Sequence, residues 1–141
     1  MKIDGACHCG RISYEAEIDP ERVRLCHCTD CQSLSGSAFR ITAPTPEADY
    51  RLLRGEPKIY RKTAESGAVR LQAFCGDCGS PLYATLEGEG TRTFGIRLGT
   101  ARQRAELTPR RQFWWRSRLP FVEGIGCLES FDKQDRQPSA T

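Results

Sequence analysis

Apolar side chains recur at every second position over much of this chain. In "RISYEAEI", Ile12, Tyr14, Ala16 and Ile18 alternate with polar neighbours, the period of a strand that buries one face. "AVRLQAFC" sets Val69, Leu71 and Ala73 against Arg70 and Gln72, and "TFGIRLG" repeats the pattern with Phe94, Ile96 and Leu98. Further strands are predicted in "SAFRITA", "PKIYRK", "PLYATL" and "RQFWWRS", divided by the turn segments "LRGEP", "ESG" and "EGEG".

No helical stripe runs over a dozen residues, so the pattern predicts a mainly β domain. One short helical turn is expected after Thr29, with the Thr29 side chain as its cap and Gly36 as its end. A length of 141 residues suits a single domain with a real core. That domain is expected over residues 1–132, and the polar, aperiodic residues 133–141 read as a flexible C-terminal tail. The chain has no run of eighteen apolar residues and its first ten residues lack an apolar signal core, which points to a soluble, cytoplasmic protein without a membrane role.

The eight cysteines change the picture. Without an export signal, disulfides are not the expected use of so many thiols. Their close pairing is what a metal site asks for, because one short segment then delivers two ligands with little added loop entropy. "GACHCG" offers Cys7 and Cys9, and "FCGDCGSPLY" offers Cys75 and Cys78, with Gly76 and Gly79 letting the backbone turn under the thiolates. Four sulfurs complete a tetrahedral structural zinc. Such a zinc would tie the N-terminal strand to the middle of the chain and contribute directly to folding.

"CHCTDC" leaves three more: Cys26, Cys28 and Cys31. On a strand, residues 26 and 28 share a face, and a turn after them can bring residue 31 to the same point. The fourth position of a second zinc could go to Cys127, to a histidine, or to water or substrate. Cys127 lies in the apolar, Gly-rich "GIGCLESF" and is expected to be a small buried hydrophobe, while His8 and His27 each alternate with ligating cysteines and should point away. Water or substrate is therefore the expected occupant, which is the pattern of a reactive rather than a structural zinc. Three thiolates soften the metal and favour a thiol substrate over hydroxide.

The net charge of +3 is too slight to imply nucleic acid. Its distribution is uneven, with Arg102, Arg104, Arg110, Arg111, Arg116 and Arg118 in one stretch. That stretch is either a solvated face or a grip on an anionic partner.

The segments "GACHCGRISYEA", "CHCTDCQSLSGSAF", "GEPKIYR", "RLQAFCGDCGSPLYATL" and "GIRLGT", in this order over residues 2–132, resemble the glutathione-dependent formaldehyde-activating enzymes, a domain shared with centromere protein V. The resemblance implies an Mss4-like, zinc β-tent fold with two zincs per chain. Cys7, Cys9, Cys75 and Cys78 would hold the structural one, and Cys26, Cys28 and Cys31 the second, reactive one. It also implies a carbon-sulfur lyase that joins formaldehyde to glutathione, giving S-(hydroxymethyl)glutathione. Arg110, Arg111 and Arg116 are then candidates to meet glutathione's carboxylates, with Trp114 or Trp115 packing on its stem. Family members often carry a histidine just after the proline that corresponds to Pro109, where this chain has Arg110, Arg111 and Gln112. Two other readings stand beside this one: a non-enzymatic zinc module that engages a protein or nucleic-acid partner, and an iron-sulfur protein, since thiolates hold iron as well as zinc.

Overall fold

The computed structural model describes residues 1–88 and 91–134, so Glu89 and Gly90 of the "EGEG" turn, and residues 135–141 of the expected tail, lie outside the described residues. Ten strands and one α-helix follow in chain order: β1 Lys2–Ala6, β2 Ser13–Glu17, β3 Arg24–Cys26, α1 Thr29–Ser35, β4 Arg40–Pro46, β5 Tyr50–Arg54, β6 Lys58–Thr63, β7 Val69–Phe74, β8 Pro81–Leu86, β9 Thr93–Arg97 and β10 Arg111–Phe113. They form two sheets, a three-stranded β1-β2-β5 and a seven-stranded β10-β3-β4-β9-β8-β7-β6. The fold is mainly β, as the alternation predicts.

The alternation also locates the core. Ile12, Tyr14, Ala16 and Ile18 are all buried, as are Phe94, Ile96 and Leu98. Ile3, Tyr14, Ala43, Leu82, Ile96 and Leu98 belong to one apolar cluster that draws on both sheets. The Tyr14 hydroxyl, fully enclosed there, is satisfied by the Thr100 hydroxyl at 2.9 Å, so its burial leaves no polar group stranded. Two prolines in β4 look misplaced for an interior strand. They are tolerated because β3 is only three residues long and pairs with Arg40 to Thr42, leaving Pro44 and Pro46 beyond its end, where no β3 carbonyl needs a donor.

Four local expectations need correction. The cap of α1 is Cys28, whose Sγ accepts from the Cys31 amide at 3.3 Å, and Thr29 is the first helical residue instead. "RQFWWRS" is a strand only to Phe113, because Trp114 takes a left-handed conformation (φ 56°) and a 3-10 turn over Trp115–Ser117 follows. Cys127 is exposed, at the end of the 3-10 segment Pro120–Cys127, in which no residue is buried. Its apolar neighbours face outwards too: Ile125 and Leu128 are both exposed. In the knuckle only Gly79 (φ 79°) needs the freedom of glycine; Gly76 has room for a side chain and no left-handed backbone.

No helix among the described residues is long and apolar enough to cross a membrane.

Candidate metal centres

Cys7 follows β1, Cys9 sits in the turn into β2, and Cys75 and Cys78 lie on the bend between β7 and β8. Their sulfurs all lie within 4.8 Å of one another. The Cys7 and Cys9 sulfurs are 3.6 Å apart, and those of Cys9 and Cys75 3.8 Å. A tetrahedron with zinc-sulfur arms of about 2.3 Å has edges of about 3.8 Å, whereas a disulfide would bring two sulfurs to about 2.05 Å. The spacing is therefore that of a metal-thiolate site and not of bridges. The Ile12 amide donates to Cys7 Sγ at 3.3 Å, and the Ser80 hydroxyl beside Cys78 holds that thiol down to about 5, which prepares it to ligate as thiolate. Cys7 and Cys75 are buried in the core, while Cys9 is exposed and Cys78 half-buried, so this cluster joins the two sheets at the edge of the core.

Cys26, Cys28 and Cys31 form the second cluster, also with all sulfurs within 4.8 Å. They meet through a different device from the strand register expected. Cys26 ends β3, Cys28 caps α1 and Cys31 comes back over it within the first helical turn. The Cys31 thiol, hydrogen-bonded to Cys26, draws the Cys26 pKa down to about 5, while the same contact pushes the pKa of Cys31 far up, so that Cys31 keeps its proton. The trio thus shares protons that a soft cation would displace. No other Cys, His, Asp or Glu joins either cluster among the described residues. His27 is fully buried, with Nε2 2.9 Å from Gln112 Oε1 and its ring packed against Phe39 and Trp115.

The three-cysteine cluster opens into a cavity of about 760 Å³, whose floor is one face of the seven-stranded sheet. Register explains its lining. Cys26 pairs with Arg40 on one side and Phe113 on the other, Thr42 pairs with Arg24 and Arg97, and Ala84 pairs with Gly95 and Gln72. All of these line the cavity. Its cations are Arg24, Arg40, Lys62, Arg70, Arg97 and Arg116, against Asp30 and Glu65. Asp30 is already ion-paired to Lys62. The cavity is strongly electropositive and of a size that takes a small molecule.

The sequence profile of the glutathione-dependent formaldehyde-activating enzymes matches residues 2–117. The chain belongs to this family. The match ends at Ser117, short of residue 132, the expected end of the resemblance. Among solved structures, the chain is similar to a protein of Rhodobacter sphaeroides with a TM-score of 0.61 and 21% identity, covering 77% of this chain and 98% of the other. At that identity the likeness concerns the fold.

Within the formaldehyde-activating fold, the arginine-rich stretch does not form one patch. Arg102 pairs with Asp4, Arg110 with Glu21 and Arg118 with Glu123. Arg116 and Trp114 line the cavity, with the Arg116 guanidinium 5.0 Å from the Trp114 ring centre, while Arg110, Arg111 and Trp115 do not line it. Trp115 instead meets His27 edge-on and carries the Arg118 guanidinium at 4.2 Å. The reasoning from sequence missed Arg24, Arg40, Lys62, Arg70 and Arg97. A signal for two of them was present: "FRITA" and "GIRLG" each set one arginine inside an otherwise apolar or small strand.

Proposed function

We propose that this chain is a zinc-dependent carbon-sulfur lyase resembling S-(hydroxymethyl)glutathione synthase, joining a small aldehyde to a thiol such as glutathione, on an Mss4-like zinc-stabilised scaffold. The observation that carries the reading is the opening of all three of Cys26, Cys28 and Cys31 into an electropositive cavity, whereas the four-cysteine cluster is anchored in the core by the buried Cys7 and Cys75. Cys7, Cys9, Cys75 and Cys78 would hold a structural zinc, and Cys26, Cys28 and Cys31 a second with room for substrate. A zinc bound there would supply a Lewis acid suited to a soft thiol. The chain's own residues do the rest. The thiol gives up its proton, its sulfur bonds to the carbonyl carbon, and the carbonyl oxygen takes up a proton to leave a hemithioacetal. Arg40 and Arg97 beside the cluster favour both the thiolate and the developing oxyanion in a half-dry site. Arg24, Arg70 and Arg116 suit the carboxylates of the thiol.

The test is the rate of exchange between formaldehyde and S-(hydroxymethyl)glutathione followed by NMR. Acceleration over the protein-free rate, lost in Cys28→Ser while the protein stays folded, is expected. An unaccelerated exchange would pass the reading to a non-enzymatic zinc module, which the exposed Phe121, Ile125, Leu128 and Phe131 favour as a protein-binding surface.

A further inference from the structure

Arg40 and Arg97 face two cavities at once. Together with Gln72 and Leu34 they line both the electropositive cavity and a second one of about 440 Å³, otherwise walled by Tyr60, Ala73, Phe74, Gly79, Pro81 and Tyr83. The second cavity is apolar apart from this shared wall. Both guanidiniums are short of counter-charge. Arg97 donates to Gln72 Oε1 at 2.9 Å and to Thr42 Oγ1 at 3.1 Å, and Arg40 donates to the same Gln72 oxygen at 3.4 Å. These acceptors are neutral, and among the described residues no carboxylate pairs with either arginine. Burial, and then the like charge of Arg40, push Arg97 down to about 9.

The cysteines supply part of what is missing, since their thiolates favour charge on Arg40. Three thiolates around a divalent ion carry one net negative charge against two guanidiniums, so one positive charge is left over at the junction. Two desolvated guanidiniums beside an apolar pocket are poorly matched to formaldehyde, which has neither charge nor an apolar body. They match a carboxylate, which a guanidinium fork binds in two places.

We propose that the carbonyl substrate of this site carries a carboxylate held by Arg40 and Arg97 and an apolar body that fills the Tyr60–Tyr83 cavity. The preferred carbonyl substrate is then an apolar oxo acid, and formaldehyde, which has neither feature, is a slower one. This rests on the thiol-plus-carbonyl reading above, and the bond made at the carbonyl is the same.

Calorimetric titration of the metal-loaded full chain with acetate, hexanoate and hexanol tests it without requiring turnover. Hexanoate is expected to bind at least tenfold more tightly than acetate, with hexanol weaker than hexanoate. Arg97→Gln should weaken hexanoate at least tenfold with metal content unchanged. Tyr60→Ala, at a half-exposed position, should erase most of the gap between hexanoate and acetate without weakening acetate. Affinities of acetate and hexanoate within twofold of each other, or hexanoate binding indifferent to Arg97→Gln, would overturn the proposal. Glutathione displacing hexanoate one for one, with its own binding dependent on Arg97, would also overturn it by assigning the pair to the thiol. Hexanoate binding without any thiol-aldehyde exchange would sink the lyase reading and leave the anion site; exchange without hexanoate binding would do the reverse.

Discussion

Cys26 and Arg40 stand opposite one another across β3 and β4, so a thiol of the three-cysteine cluster and a buried guanidinium share one face of the sheet. The pairing is fixed by backbone register. A one-residue slip would send Arg40 to the opposite face, into the apolar core, so the core itself enforces the site.

The two cysteine clusters should separate under mutation. Cys75 is fully buried within the core cluster, and Cys75→Ser removes one of the four thiols proposed to join the sheets through a metal. We expect a loss of about 3 kcal/mol or more of stability, seen as lower folding yield and an earlier thermal transition. Cys28→Ser should keep a folded protein with about one zinc fewer per chain by elemental analysis. Equal loss of folding in both would refute the division into structural and reactive centres.

The part of this architecture legible in the sequence is that governed by short-range pattern. Period-two alternation located β2, β7 and β9, and cysteine spacing grouped the same residues that the fold gathers. The short strand β5 escaped because five residues hold too little alternation, and in "YRLLR" it breaks at Leu52–Leu53. The cavity lining was not legible either. Arg24, Arg40, Arg70 and Arg97 converge only through the order β3-β4-β9-β8-β7, which no local pattern specifies. The dense arginine run at 102–118 is the stronger local signal, yet three of its members are occupied by carboxylates.

Gly95 keeps the cavity floor open. A Cβ there would lie 3.0 Å from Thr42 Cγ2 and 3.8 Å from Arg97 Nη1. Gly95→Val should push both side chains and cost about 1–3 kcal/mol, as overpacking does. The diagnostic outcome is that hexanoate affinity or thiol exchange falls by more than the unfolded fraction explains. A stable Gly95→Val protein with full activity would show that the floor is not a binding surface.

Acid should expose the tie between β1 and the segment after β9. Asp4 receives Arg102 and Gln103, whose hydrogen bonds hold its carboxyl down to about 2. A folded value below the unfolded one means that the contribution is complete above the ordinary carboxylate range near 3.9 and is lost as pH falls from about 4 to about 2. Asp4→Asn should therefore flatten the fall in stability over that window and leave the slope above pH 5 unchanged. Urea midpoints measured from pH 2 to 6 provide the check. An identical slope in wild type and variant would mean that solvent screens the tie completely.

Trp114 carries strain at the cavity wall. It is the one non-glycine residue with positive φ among those described, half exposed, with Arg116 over its ring. A left-handed conformation costs a bulky residue roughly 1–2 kcal/mol, and asparagine tolerates it better. Stability alone would favour the smaller residue, so the ring is expected to take part in ligand binding at the cavity wall. Trp114→Asn is expected to leave thermal stability unchanged or raise it by up to about 1 kcal/mol, while the affinity for the thiol falls several-fold with hexanoate binding intact. A loss of both stability and thiol affinity would instead make the ring a packing element, its backbone strain offset by contacts with the strand beneath.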